Sequence, residues 1–115
     1  MIENIIPILR VQNLQASLCY YQQILGFAVS WSGDGFAGIE RDGWHIYLAE
    51  GDQGQPGTWL WIGVHDLDSL FQECQSRGAN IRGEITSNPW AREFHVEDPD
   101  GHVMRFGGEP AVVDE

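Results

Sequence analysis

Residues 10–27 read RVQNLQASLCYYQQILGF, and the apolar period changes twice within them. The stretch opens on the tail of a short apolar run, Ile5 to Val11, which reads as a strand. Pro7 places that strand at a sheet edge or a barrel mouth, because proline donates no ladder hydrogen bond. Asn13 has the side chain of an N-cap. Leu14, Leu18, Tyr21 and Leu25 then recur at spacings of three and four, the apolar stripe of a helix. Gly26 stops that helix, and Phe27 to Trp31 returns to the strand pattern.

Downstream, Ser32 to Gly35 reads as a turn and Phe36 to Arg41 as a strand. Asp42-Gly43 is a tight hairpin turn, and Trp44 to Glu50 is another strand. Residues 51–57, GDQGQPG, carry three Gly and one Pro with nothing to bury, and read as a linker. The pattern then restarts. Thr58 to Val64 is a strand, Asp66 caps a helix over Leu67, Leu70, Phe71 and Cys74, and Gly78 ends it. Asn80 to Ile85, Ala91 to Glu97 and His102 to Gly107 follow as strands, the last after the turn Asp98-Pro99-Asp100-Gly101. Val11, Leu14 and Leu18 match Val64, Leu67 and Phe71 at a constant offset. The chain therefore reads as a single domain, residues 1–115, of two βαβββ repeats over about 4–50 and 58–109. The expected fold class is α+β. Each helix covers one face of a curved mixed sheet, and the other faces must meet each other or close around something.

Composition limits the function. Seventeen Asp and Glu against six Lys and Arg give a net charge of −11. That excess argues against nucleic acid and anionic membranes as partners, since both demand clustered basic residues. The five Trp inside this acidic envelope suit either a site for an aromatic or cationic molecule, or a core in a protein that its charge keeps soluble. The first residues lack a basic, then apolar, leader pattern, and no apolar run is long enough to span a bilayer. Cys19 and Cys74 read as reduced, half-buried thiols. A cytoplasmic protein is the expectation.

Arg10-Val11 before a helix, the Tyr20-Tyr21-x-x-x-Leu25-Gly26-Phe27 helix end and the Glu97-Asp98-Pro99-Asp100-Gly101-His102 turn, set in this doubled order, resemble the vicinal oxygen chelate superfamily. That group holds glyoxalase I, extradiol dioxygenases, fosfomycin-resistance enzymes and bleomycin-resistance proteins. The resemblance implies paired βαβββ modules, a homodimer and ligand cavities within curved sheets. It also implies metal ligands on the first and last strand of each half. Carried over, those positions are Ile6, Tyr47, Trp59 and Arg105. None is an ordinary ligand of a divalent ion, and Arg105 brings a fixed positive charge. No cofactor is therefore expected. The resemblance is nearest to the metal-free bleomycin-resistance type, a protein of antibiotic resistance that sequesters an aromatic, cationic ligand.

The candidate ligand-binding residues are Trp31, Phe36, Trp59, Trp61 and Trp90 as apolar walls, with His45, Tyr47 and Arg105 as polar contacts. Trp59 and Trp61 share one strand face by their parity, and His45 shares a face with Tyr47. Trp44 has the parity of Ile46 and Leu48 and reads as filling core or dimer interface. His102 reads as exposed after its turn. Arg105 either has a carboxylate neighbour or reads an acidic group on the ligand. Two other readings stay open. One is a glyoxalase- or dioxygenase-like enzyme with a relocated metal, for instance on His45, His95 and Glu93. The other is an interaction module whose Trp face is a dimer interface.

Overall fold

A computed structural model of the chain describes residues 1–110. Strand β1 (Ile8–Arg10) leads into helix α1 (Leu14–Cys19), then into β2 (Ala28–Gly33), β3 (Phe36–Arg41) and β4 (Trp44–Ala49). The order repeats as β5 (Trp59–Gly63), α2 (Leu67–Arg77), the short strands β6 (Asn80–Ile81) and β7 (Thr86–Ser87), β8 (Arg92–Glu97) and β9 (Val103–Gly108). The fold is α+β, with two mixed sheets ordered β1-β4-β3-β2 and β5-β9-β8-β6, and β7 pairing with β8. The first strand of each sheet runs parallel to its last, and the remaining pairs are antiparallel.

Local chemistry sets these boundaries. The Asn13 side chain accepts the Ala16 N–H at 3.0 Å, and Glu50 accepts the Leu14 N–H at 2.8 Å. Two of the orphan donors at the start of α1 are thereby satisfied. Beyond Cys19 the helix widens to a π-turn over Tyr20–Ile24, and Gly26 ends it at φ 73°. Asp66 caps α2 through the Ser69 N–H at 3.1 Å. The expected strand from Asn80 to Ile85 is not continuous. Gly83 takes φ 89°, outside the extended region, and the chain leaves β8 between β6 and β7.

The covered faces of the sheets join one core. Leu9, Ile39 and Leu48 meet Leu14, Leu18 and Tyr21 on the first side, and Phe94, Val96 and Met104 meet Leu67 and Cys74 on the second. The two thiols differ. Cys19 is exposed, whereas Cys74 is buried and burial pushes its thiol up to about 11. Cys74 thus acts as a small hydrophobe.

The turn at residues 98–101 is the clasp between the halves. Tyr21 donates its hydroxyl to Asp98 at 2.7 Å, and Asp98 also accepts the N–H groups of His102 and Asp100 at 2.8 and 2.9 Å. Burial raises the pKa of both Tyr21 and Asp98. His102 is wholly buried rather than exposed. Its Nδ1 accepts the Thr58 N–H at 3.0 Å, so its proton sits on Nε2 and is donated to the Arg10 carbonyl. One imidazole ties the end of β1 to the approach to β5. A second clasp is Arg41, which donates to the Leu25 carbonyl at 2.6 Å and to both Glu73 oxygens at 2.8 and 3.1 Å.

Candidate functional site

Each sheet has one face turned away from its helix, and the aromatic residues gather there. Register places Ile8, Tyr47, Gly38 and Trp31 side by side across the first sheet. Trp31 lies flat on Gly38, where a Cβ would sit well inside van der Waals distance of the indole. Phe36 stacks on Trp31 with centroids 5.3 Å apart and planes at 22°. Tyr47 meets both rings edge-on, at 5.2 and 5.6 Å. His45 lies on the same face, 4.0 Å from the Glu40 carboxylate. The sequence pairs only His45 with Tyr47 on one face; the structure adds Trp31 and Phe36 to it and brings the three rings into contact.

The second sheet builds a different wall. Trp61, Arg105 and His95 form one cross-strand row. Trp61 lies flat over Gly107, again leaving no room for a Cβ. Its Nε1–H donates to Glu93 at 3.0 Å. Arg105 grips the same carboxylate through Nε at 3.1 and 3.2 Å and Nη2 at 3.0 Å. Asn88 adds a donor at 3.4 Å. The Arg105 guanidinium, with the indole N–H, holds the Glu93 carboxyl below the usual carboxylate range, against the opposing effect of burial. Trp59 sits edge-on to His95 at 5.2 Å, with the Arg82 guanidinium 5.6 Å from its ring centroid. Burial lowers the His95 pKa, and Arg105 and Arg82 lower it further against the opposing pull of Glu93.

Trp44 and Trp90 depart from these walls. Trp44 is 79% exposed in the single chain and so lies outside its core. It stands at the hairpin end of β4, where Ile46 is the last covered residue of that parity. With Ile5, Pro7, Trp61 and Leu70 it lines a cleft of about 920 Å³ between the start of β4 and the β5–α2 segment. Trp90 is 66% exposed on the approach to β8 and stacks on no other ring among the described residues.

The positions read as metal ligands also shift. Ile6 precedes β1, and Ile8 is the residue opposite Tyr47. Trp61 rather than Trp59 lies opposite Arg105. The reason is register, which a parallel pair sets by its ladder and not by spacing from a motif. The row residues are thus Ile8, Tyr47, Trp61 and Arg105, and none is an ordinary divalent-ion ligand. His45 stands on the first sheet, whereas His95 and Glu93 stand on the second, with Glu93 already engaged by Arg105. Those three do not form a cluster within the chain. Among the described residues no group of three or more His, Cys, Asp or Glu is placed to hold a metal ion.

Glu93, Arg82 and the glycines under the indoles were missed as wall residues. Gly38 is an isolated glycine inside a strand, which signals close approach by another group, whereas Gly107 stands in the Gly107-Gly108 pair at the end of β9.

The family model described as Glyoxalase/Bleomycin resistance protein/Dioxygenase superfamily matches residues 4–106. The chain belongs to this superfamily. Among solved structures of the superfamily's fold, a bleomycin resistance determinant encoded on the transposon Tn5 superposes with a TM-score of 0.81 at 18% identity, over 94% of this chain and 98% of that one. The bleomycin-binding protein of bleomycin-producing Streptomyces verticillus, solved with copper(II)-bleomycin, gives 0.80 at 23% identity over the same shares. A glyoxalase/bleomycin resistance protein/dioxygenase from Nocardioides gives 0.77 at 19% identity, over 99% of this chain and 91% of that one. At these identities the likeness establishes the fold. No curated protein matches the chain. No helix among the described residues is long and apolar enough to cross a membrane.

Proposed function

We propose that this superfamily member is a metal-independent binding protein of the bleomycin-resistance type, cytoplasmic and homodimeric, which sequesters an aromatic, cationic small molecule. The observation that carries this reading is the pair of half-exposed indoles, Trp31 and Trp61, each laid flat on a strand glycine on an open sheet face. Such rings are stacking platforms fixed before any ligand arrives, which reduces the ordering cost of binding. The bleomycin-binding structural relatives support the ligand class.

The physics of capture is simple. A planar heteroaromatic gains about 0.5–1.5 kcal/mol per offset-stacked ring beyond burial of its area. A cationic group over a ring face adds about 0.5–2 kcal/mol. The net charge of −11 raises the encounter rate of a cation. Sequestration requires no bond to break, so no catalytic residue is assigned. Ile8, Trp31, Trp59 and Trp61 leave apolar surface on both open faces, and a second copy of the chain closing over them would convert two open walls into cavities.

The test follows tryptophan emission during titration with bleomycin in the presence of a chelator. Saturable quenching is expected, weakened more than about tenfold in Trp61→Ala. Absence of a response would overturn the reading. So would a Trp61→Ala variant that turns from dimer to monomer while its ligand response is intact, since the Trp face would then be an interaction surface only.

A further inference from the structure

We propose that Glu93 sets the charge selectivity of the second-sheet wall, as a positioning residue that acts through Arg105 and Trp61. This rests on the binding reading above and names what makes that wall tolerate a cation.

The geometry is asymmetric in a way a plain surface ion pair is not. The Glu93 side chain is 3% exposed, whereas that of Arg105 is 39% exposed. A ligand on this face therefore meets the guanidinium and not the carboxylate. The carboxylate is also fully committed. One oxygen takes the Trp61 indole and Arg105 Nε, and the other takes Arg105 Nε, Arg105 Nη2 and the Asn88 amide. Arg105 spends its Nε and Nη2 edge on Glu93, and Nη1 has no hydrogen-bond partner among the described residues. The wall thus shows the ligand a donor edge whose charge is cancelled from beneath.

Two consequences follow. A cation can lie over the exposed face of Trp61 without meeting an uncompensated guanidinium. The same carboxylate fixes the plane of that indole, because it anchors the only polar atom of a ring whose other face is set by Gly107. Charge and orientation share one anchor. A neutral residue in place of Glu93 would leave Arg105 as a positive site with a free edge, the arrangement that selects carboxylates. With Arg82 also on this wall, the local field would then turn positive despite the acidic chain.

The experiment compares two ligands that share a ring and differ in charge, 1-naphthylmethylammonium and 1-naphthoate, by equilibrium titration of the full chain. In the wild type the cation is expected to bind more tightly. Glu93→Gln should shift the cation-to-anion affinity ratio about tenfold towards the anion, and Arg105→Gln about tenfold towards the cation. The double variant should return the ratio to within about twofold of wild type. A loss of structure alone would weaken both ligands together and leave the ratio in place, so an unchanged ratio in Glu93→Gln overturns the proposal. Should that variant fail to fold, as judged by near-ultraviolet circular dichroism, Arg105→Gln and the double variant decide, and an unmoved ratio there overturns it equally. If the wild type binds neither probe, the underlying binding reading fails, which is a distinct result.

Discussion

Replacing His102 with alanine is expected to remove about 3–5 kcal/mol of stability, a large share of the roughly 5–15 kcal/mol that holds a domain of this size. The imidazole has no exposed surface. Its two ring nitrogens serve the Thr58 N–H and the Arg10 carbonyl, which belong to different halves of the chain. Alanine would leave both backbone groups without their partner and open a void the size of the ring. The neighbouring contacts of Asp98 with Tyr21 and Asp100 cannot move to fill it, because they already fix the turn. His102→Gln should recover part of the loss, since its amide can satisfy one of the two groups. Urea unfolding followed by far-ultraviolet circular dichroism measures this. A loss under about 1 kcal/mol would mean that the ring does not bridge the halves.

The second large effect is on binding. Gly107→Ala is expected to weaken an aromatic ligand by about 10- to 100-fold, or about 1.5–3 kcal/mol. The new methyl group would occupy the space of the Trp61 ring, which must lift and release Glu93. The stability cost should be smaller, about 1–3 kcal/mol, because Trp61 can swing outward into solvent. Gly38→Ala should act in the same way on Trp31 and break its stack on Phe36. Titration of the two variants against wild type, with unfolding curves beside them, separates lost platforms from lost fold. Unchanged affinity in both would show that the indoles are not the binding surface.

Where local chemistry acts alone, the structure was legible from the residues. Asn13, Asp66, Gly26, Gly78 and the Asp42-Gly43 hairpin each carry out the role that their side chains or conformational freedom allow. Parity put Trp59 and Trp61 on one face because a strand has a strict period of two. Parity did not decide between core and interface for Trp44, because alternation says which side a residue faces and not how far the helix layer extends over it. His102 was misread for a related reason. A turn looks solvated in sequence, but Ser17 and the Gln12 N–H bind Asp100 and draw this one beneath α1. The Glu93 hub depends on which β8 residue reaches the adjacent β9 and, beyond it, β5, and register across three strands is not written in any local pattern.

We propose capture of an aromatic ligand on the open sheet faces without a metal. Isothermal titration calorimetry on chelator-treated protein, with metal-free bleomycin as the ligand, tests it most directly. A saturable heat is expected that reaches its end point at one or two ligands per dimer and is unchanged by further chelator. Heat that arises only after a divalent metal is restored, or no heat at all, would contradict it.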